Sequence, residues 1–279
     1  PPHAPAPPPT PNPTPPHHPP LLQRWAPAQW PRPKDPTLTA PTQVDMEPAL
    51  PDIEEVREEW GVQDTDTHLD AKALAIAIAR HPETNAKVRF WGKLEQRKTV
   101  DITVLIAGAG GRDLSAHRIT AADELPLRQL ATEVIEACQM IRADEDPKFR
   151  KSKEMMDKLP WWLMRSFLSL ASLSMNELYF DLSKLGLPAD LFGTGMVTSL
   201  GMHGVDEAYA PLTPIGRIMV DVLLTRVRQR PWVGDDGELS VKPTLKLCAT
   251  FDHRVVDGIQ AARICQELHE LFANPELLR

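Results

Sequence analysis

One histidine and one aspartate near the C-terminus stand where a fold can hold reactive side chains rigidly. His253 follows an apolar run, Leu245 to Phe251, that predicts a buried strand. Asp257 comes four residues later, just before a helical pattern over Ile259 to Phe272. Imidazole has an ordinary pKa near neutrality, and an aspartate before a helix could cap it or pair with a cation. From physics alone the pair is either structural or catalytic, since structural networks also contain such pairs.

Four separated blocks of sequence, in the right order, resemble the dihydrolipoyl acyltransferases, the core subunits of 2-oxo acid dehydrogenase complexes. The block that contains the histidine, His253 to Gly258, is similar to the HxxxDG motif of that family. The other three are His81 to Ala86, similar to HPELNA, Phe192 to Asp206, similar to FGTG…TxSNLGMFGVD, and Asn274 to Leu278, similar to the usual ending. The resemblance runs from about Arg24 to Arg279, apart from one insertion.

The resemblance implies an α/β fold, the layered chloramphenicol acetyltransferase-like fold with a mixed β-sheet flanked by helices. The mixture of strand and helix patterns also predicts an α/β layered domain. The predicted strands are Thr37–Asp45, Val88–Trp91, Val100–Ile106, Leu114–Ile119, Met196–Leu200, Ile218–Val227 and Leu245–Phe251. The predicted helices are Glu47–Trp60 with Pro48 in its first turn, Thr67–Arg80, Leu127–Ile141 and Ile259–Phe272. A hairpin turn is predicted at Asp235-Asp236-Gly237.

The chain divides into a linker and one domain. Residues 1–20 are mostly proline and predict a disordered, polyproline-like linker. We interpret its histidines, His3, His17 and His18, as solvated residues and not as metal ligands. Residues 21–279 are predicted to form the acyltransferase catalytic domain. In the resembled family, such linkers tether mobile lipoyl domains to the catalytic core, so a lipoyl domain upstream would fit this arrangement.

An apolar helical insertion at about 146–190 departs from the pattern of the resembled family. Its apolar run, Lys158 to Met175, is short for a bilayer span and contains Arg165. A basic stretch, Lys148 to Lys153, precedes it, which leaves membrane contact through an interfacial helix open. The other interpretation, which we favour, is that the segment packs on its own protein or on a neighbouring subunit. A long insertion in a compact domain often has a function of its own.

The chemistry that the resemblance implies is acyl transfer between two thiols, coenzyme A and a dihydrolipoyl group. Near neutral pH a thiol is mostly protonated, so a neutral imidazole beside it can act as the general base. His253 takes that role in the resemblance. Thr198 aligns with the family's serine, which supplies a hydroxyl to the oxyanion, and Ser199 beside it is the candidate contact for coenzyme A. Asp257 is implied to hold the catalytic loop, through hydrogen bonds or with Arg24 or Arg32. His203 is expected to be non-catalytic.

The resemblance also implies partners. Members of the family are trimers, with further assembly into a cage left open, and the histidine of one chain faces the hydroxyl residue of its neighbour. Coenzyme A would act as a substrate, and another domain or protein would supply the lipoyl group. Two alternatives remain open. One is a non-catalytic scaffold of a 2-oxo acid dehydrogenase-type complex, and the other is a stand-alone transferase with a different acceptor.

Composition excludes several other classes of protein. The net charge of −7 supplies no basic excess for binding nucleic acid. Three separated cysteines form no CxxC pair, so neither a zinc site nor a disulfide framework is predicted. Gly108, Gly110 and Gly111 lack the GK[ST] ending of a phosphate loop. Unpaired cysteines and the absence of a secretory pattern near the start favour the cytoplasm, or the mitochondrial matrix in a eukaryote.

Overall fold

The computed structural model describes residues 36–60, 66–89, 92–108, 114–143, 160–178, 190–234 and 236–279. The predicted linker over residues 1–20 lies outside these ranges. Arg24 and Arg32, the candidate partners of Asp257, also lie outside them, as do Gly110 and Gly111.

A seven-stranded mixed β-sheet forms the centre of the domain. It contains β1 (Thr37–Asp45), β4 (Ile102–Ala107), β5 (Leu114–Ile119), β6 (Gly195–Ser199), β7 (Val220–Leu224), β8 (Arg228–Val233) and β9 (Leu239–Asp252). Its spatial order is β1-β9-β7-β6-β4-β5, and β8 pairs with the first half of β9. The parallel neighbours in this sheet are β4 with β6 and β6 with β7, and the other neighbouring pairs of its described strands are antiparallel. A separate two-stranded hairpin joins β2 (Ala86–Val88) and β3 (Leu94–Gln96).

Three helices cover one face of the sheet. They are α2 (Asp66–Arg80), α3 (Leu127–Arg142) and α5 (Gly258–Ala273). Helix α2 packs against β4 and β6 and is itself covered by the other two. Its alanine-rich sequence is buried almost all round, because small side chains let a helix approach its neighbours closely. The side chain of Lys72 is buried within this layer and donates to the carbonyl oxygens of Ala122, Asp123 and Leu125. The main hydrophobic core lies between this layer and the sheet.

A smaller apolar cluster covers the opposite face of the sheet. Helix α4 (Trp161–Asn176) places Met164 and Leu168 against Met196 of β6 and Phe192 before it. The described helix of the insertion therefore packs on its own protein, which is one of the two arrangements that we favoured. Its outward side leaves Trp162 59% exposed and Leu170 62% exposed. No helix among the residues described is long and apolar enough to cross a membrane.

Most predicted elements are confirmed, with local corrections. The first helix, α1 (Leu50–Trp60), begins two residues after Pro48, so placing that proline in the first turn was wrong. Of the strand predicted at Val88–Trp91, Val88 ends β2, Arg89 lies outside any strand, and residues 90–91 lie outside the described ranges. Strands β3 and β8 were not predicted, because β3 has only three residues and β8 begins with three polar residues. Residues 236 and 237 of the predicted turn lie between β8 and β9, and residue 235 lies outside the described ranges.

Candidate active site

The turn after β9 fixes the imidazole of His253 in one orientation. The backbone N–H of His253 donates to the carbonyl oxygen of Pro36 at 2.8 Å. On the ring, Nδ1 lies 3.0 Å from the carbonyl oxygen of Val256. A carbonyl oxygen can only accept a hydrogen bond, so Nδ1 of the neutral ring carries the proton. The lone pair is therefore on Nε2, and the side chain is exposed. This tautomer can accept a proton from a group outside the chain.

Asp252 and Arg254 hold the two sides of the same turn. Arg254 forms a bidentate pair with the Asp252 carboxylate, at 2.9 Å from Nε and 2.7 Å from Nη2. The carbonyl oxygen of Asp252 accepts from the backbone N–H groups of Val255 and Val256, both at 2.9 Å. A paired carboxylate and two backbone bonds leave the turn little freedom, and a bidentate arginine pair adds directionality. The turn thus presents His253 from a rigid support.

Asp257 caps the helix that follows the turn. Its carboxylate accepts from the backbone N–H of Gln260 at 2.8 Å, and the Gln260 side chain accepts from the backbone N–H of Asp257 at 2.9 Å. This reciprocal capping box satisfies two N–H groups that the start of a helix would otherwise leave unpaired. The resemblance implied that Asp257 holds the loop through hydrogen bonds or through an arginine. The capping box supplies hydrogen bonds of this kind. The Asp257 carboxylate points to the start of the helix. Among the described residues, it makes no hydrogen bond to the His253 ring.

The hydroxyl of Thr198 is buried and has no hydrogen-bond partner among the described residues. Thr198 lies in β6, between β4 and β7, and Ser199 ends the strand. Both residues are partly exposed. A buried polar atom without a partner is uncommon and calls for a physical explanation. A group outside the described residues, such as a bound substrate, would satisfy the Thr198 hydroxyl.

Thr198 and His253 cannot meet within one chain. Strand register places Thr198 opposite Leu223 of β7, and Leu223 opposite Cys248 of β9. His253 lies five residues beyond Cys248. At about 3.4 Å per residue, this separates the two backbones by roughly 17 Å along the sheet. If the two side chains act on one substrate, they come from two copies of the chain.

Two of the motif blocks meet at the start of β6 and fix its position. The hydroxyl of Thr194 donates to the side-chain oxygen of Asn85 at 2.5 Å, so the Phe192 block is bound to the His81 block. Gly193 has a φ of +67°, and an added Cβ would lie 2.5 Å from the Cβ of Asp101. Only glycine fits that conformation and that contact. These blocks position the strand that carries Thr198.

His81, at the start of the first block, contacts the last helix. Its Nε2 lies 3.5 Å from Glu267 of α5, and the neighbouring Arg80 pairs with the same carboxylate at 2.5 Å. The chain end also joins this assembly, because Leu278 is buried in the main core. The blocks that resemble the family are therefore distant in sequence but support one another in the fold.

Two carboxylates of the insertion, at the C-terminal end of α4 and at the end of the insertion, bind arginines outside it. Glu177, at the C-terminal end of α4, binds Arg89 at 3.1 Å and also binds Arg217. Asp190 forms a bidentate pair with Arg97, at 2.9 and 3.0 Å. The Arg97 guanidinium lowers the pKa of the Asp190 carboxyl against the opposing effect of burial. These pairs join the insertion to the β2–β3 hairpin and to the approach to β7.

Asp221 is a third carboxylate that the sequence did not single out. It is the second residue of β7 and is 2% exposed. Its Oδ1 atom has no hydrogen-bond partner among the described residues. Burial raises the pKa of Asp221 to about 7. One signal was available in the sequence, namely a single carboxylate inside an apolar strand pattern.

The remaining predicted residue is not part of this arrangement. His203 lies in a short 3₁₀ turn, Gly201–His203, and its side chain is exposed. Within the described ranges, no group of three or more histidine, cysteine, aspartate or glutamate side chains could hold a metal ion.

Comparison with known proteins finds similarity to one family. The sequence model of the 2-oxoacid dehydrogenases acyltransferase (catalytic domain) matches residues 188–279, which include both Thr198 and His253. One relative is component 4 of the chloroplastic pyruvate dehydrogenase complex of Arabidopsis thaliana, a dihydrolipoyllysine-residue acetyltransferase. It is 30% identical over 77% of this chain and 36% of the relative. The chain thus spans about a third of the length of that relative.

Relatives with another named acyl group also match. The human mitochondrial succinyltransferase component of the 2-oxoglutarate dehydrogenase complex is 24% identical over 74% of this chain and 36% of its own length. Among solved structures, a probable dihydrolipoamide acetyltransferase from Listeria monocytogenes has a TM-score of 0.65. It is 19% identical and covers 91% of this chain and 89% of its own. The cubic core of a pyruvate dehydrogenase complex has a TM-score of 0.64, at 19% identity, over 92% of this chain and 87% of its own. These structures confirm the predicted α/β fold.

Proposed function

We propose that this chain is an acyltransferase that moves an acyl group between coenzyme A and a dihydrolipoyl thiol. The observation that carries the proposal is the fixed tautomer of His253. Its Nδ1–H is committed to the Val256 carbonyl oxygen at 3.0 Å, and its Nε2 lone pair faces outward. A thiol placed at Nε2 could transfer its proton to the ring as it attacks.

The proposed reaction conserves atoms and charge at each step. Nε2 of His253 takes the proton of the attacking thiol, and the sulfur forms a bond to the thioester carbonyl carbon. The carbonyl oxygen becomes an oxyanion and accepts a hydrogen bond from the Thr198 hydroxyl, which has no other partner among the described residues. The tetrahedral intermediate then expels the second sulfur, and the imidazolium returns the proton to it. One aimed donor of this kind contributes about 3 kcal/mol to the transition state.

A solved relative supports these assignments. The dihydrolipoamide acetyltransferase of Azotobacter vinelandii, with a TM-score of 0.62 and 21% identity, was investigated for the role of a serine, a histidine and an asparagine in its catalytic mechanism. Its histidine and asparagine stand four residues apart, as His253 and Asp257 do. This chain has a threonine where we align the serine and an aspartate where we align the asparagine. Threonine keeps the hydroxyl donor of serine, and aspartate keeps the side-chain oxygen acceptor of asparagine.

We propose that the active site is shared between two copies in a trimer. The roughly 17 Å between Thr198 and His253 along one sheet supports this arrangement. Ser199, at the end of β6 beside Thr198, is then placed to contact coenzyme A. The lipoyl group would come from another domain or protein, and pyruvate or 2-oxoglutarate dehydrogenase-type components are the proposed partners.

A second candidate function differs only in the acceptor. Helix α4 packs Met164 and Leu168 onto the sheet face that carries Thr198. A stand-alone transferase that passes acyl groups from coenzyme A to a different acceptor would bind that acceptor against the surface formed by helix α4. A non-catalytic scaffold is less well supported, because Nε2 of His253 and Oγ1 of Thr198 have no partner among the described residues and could both contact a substrate.

The test is to measure transfer from acetyl-CoA and from succinyl-CoA to dihydrolipoamide, with formation of the S-acyl product followed by mass spectrometry. Product formation with either donor supports the proposal. If the folded protein forms no product with either donor but acylates an alternative amine or hydroxyl acceptor, the second candidate replaces the first. If it acylates none of these acceptors, the scaffold replaces both.

A further inference from the structure

Three buried polar atoms without partners lie on one face of three adjacent strands. They are Oγ1 of Thr198 in β6, Oδ1 of Asp221 in β7 and Oγ1 of Thr250 in β9. None of the three has a hydrogen-bond partner in the part of the chain that the structure describes. Because the cost of burying one unpaired polar group is a few kcal/mol, three on one face point to a ligand that completes them.

Strand register shows that these atoms share a face. Asp221 is opposite Met196 on one side and opposite Thr250 on the other. Residues directly opposite each other point to the same side of a sheet, with Cβ atoms about 5 Å apart. Thr198 is two residues beyond Met196 and so points the same way. It is a diagonal neighbour of Asp221, at about 7–8 Å.

In the described part of the chain, the neighbouring groups on this face are apolar or already paired. The cluster beside it consists of apolar side chains, including Met164, Phe192 and Met196. Two charged groups on the same face of β9 are already engaged. Asp252 is paired with Arg254, and Lys246 is paired with Glu207 at 2.8 Å. Asp221 therefore faces apolar carbon on one side and the Thr250 hydroxyl on the other.

A buried carboxyl in such a place recognises a hydrogen-bond donor. Asp221 and Thr250 are each 2% exposed, so water competes little for them. The carboxyl can accept a hydrogen bond from a ligand hydroxyl whether it is ionised or protonated, and in low-dielectric surroundings such a bond is stronger than in water. An alkyl group in the same position would leave the carboxyl unpaired, which a polar pocket rejects strongly.

We propose that Asp221, with Thr250, determines the acyl specificity of this site by binding a hydroxyl on the acyl chain. The inference rests on the proposed function, in which Thr198 marks the position of the thioester carbonyl oxygen. A hydroxyl two or three carbons from the carbonyl carbon spans the diagonal of about 7–8 Å between Thr198 and Asp221. The preferred substrates are thus short hydroxyacyl thioesters of coenzyme A, with plain alkyl chains of the same length disfavoured.

The experiment compares two donors that differ by one hydroxyl, 3-hydroxybutyryl-CoA and butyryl-CoA. We measure kcat/KM for each with dihydrolipoamide as acceptor, in the wild type, Asp221→Leu and Thr250→Val. The matched control is Leu224→Met, a volume-conserving change on the opposite face of β7. The wild type and the control should prefer the hydroxyacyl donor by about 10-fold or more. Asp221→Leu should bring the ratio to one or below, and Thr250→Val should reduce it.

A binding measurement separates failure of this inference from failure of the proposed function. We measure the Kd of each thioester by calorimetry without an acceptor. If no acyl transfer occurs but the wild type binds the hydroxyacyl thioester more tightly than Asp221→Leu does, the proposed function fails and the role of Asp221 stands. If the wild type does not discriminate in either measurement, or if folded Asp221→Leu keeps the same ratio, the inference is overturned.

Discussion

Nδ1 of His253 lies 3.0 Å from the carbonyl oxygen of Val256, three residues along the same turn. This single contact decides which ring nitrogen is free. It also makes the orientation of the ring depend on the turn, which the Asp252–Arg254 pair and the Asp257 capping box hold from both ends. The position of the His253 ring therefore depends on the whole six-residue turn from Asp252 to Asp257.

Replacing His253 tests the general base. His253→Ala should lower kcat for acyl transfer about 100-fold or more, because a positioned base contributes at least that factor. His203→Ala is the control, since His203 is exposed in a separate 3₁₀ turn, and its kcat should stay within twofold. Thermal melts establish that both variants are folded. A folded His253→Ala with nearly normal turnover would refute the assignment.

The Thr198 hydroxyl is tested by a pair of substitutions. Thr198→Val has nearly the same shape and lacks the hydroxyl, so kcat should fall by about 10²–10³-fold with little change in KM. Thr198→Ser keeps the donor and removes the methyl that restricts its rotamer. That variant should retain activity within a few-fold of the wild type. Equal losses of kcat in the two variants would show that the hydroxyl donor of Thr198 does not determine the rate.

The capping box of α5 is expected to affect stability first. Asp257→Ala removes the acceptor for the Gln260 N–H, so the free energy of unfolding should fall by about 1 kcal/mol. Asp257→Asn keeps a cap of similar quality and should lose only a fraction of that amount. Chemical denaturation measures both variants. If Asp257→Asn lost most of its turnover while keeping its stability, the aspartate would have a direct role in the chemistry beyond capping.

Asp221 should make stability depend on pH in a defined direction. Its pKa in the fold is raised to about 7 from 3.8, so the folded state holds a proton that the unfolded state releases. The folded protein therefore loses stability as pH rises through this interval, up to on the order of 4 kcal/mol. Asp221→Asn removes this effect. The variant should match the wild type near pH 4 and exceed it increasingly up to about pH 8. A stability difference that stays constant with pH would contradict this account.

The sequence predicted the helices and most strands because their apolar patterns are long. The Leu245–Phe251 pattern, for example, correctly placed the strand that ends before His253. Strand β8 was missed, since its sequence begins with three polar residues and has no apolar alternation of period two. The His253 motif was found from spacing alone, but the tautomer was not, because it depends on where one carbonyl oxygen points.

The relation between distant residues could not be predicted from pattern. The separation of Thr198 and His253 follows from the registers of β6, β7 and β9, which tertiary packing sets. The unpaired state of Asp221 likewise depends on Thr250 and on the apolar cluster that covers it. A carboxylate within the β7 pattern was visible in the sequence, but its lack of a partner was not.

In the proposed active site, His253 and Thr198 come from two copies of the chain. The most direct test is to co-express His253→Ala with Thr198→Val, each strongly impaired alone, and to measure acyl transfer by the purified mixed assemblies. Random mixing in a closed ring should leave about one quarter of the interfaces with both intact residues, so about a quarter of wild-type activity should return. Activity that stays at the level of the single variants, in assemblies shown by mass spectrometry to contain both chains, would contradict the account.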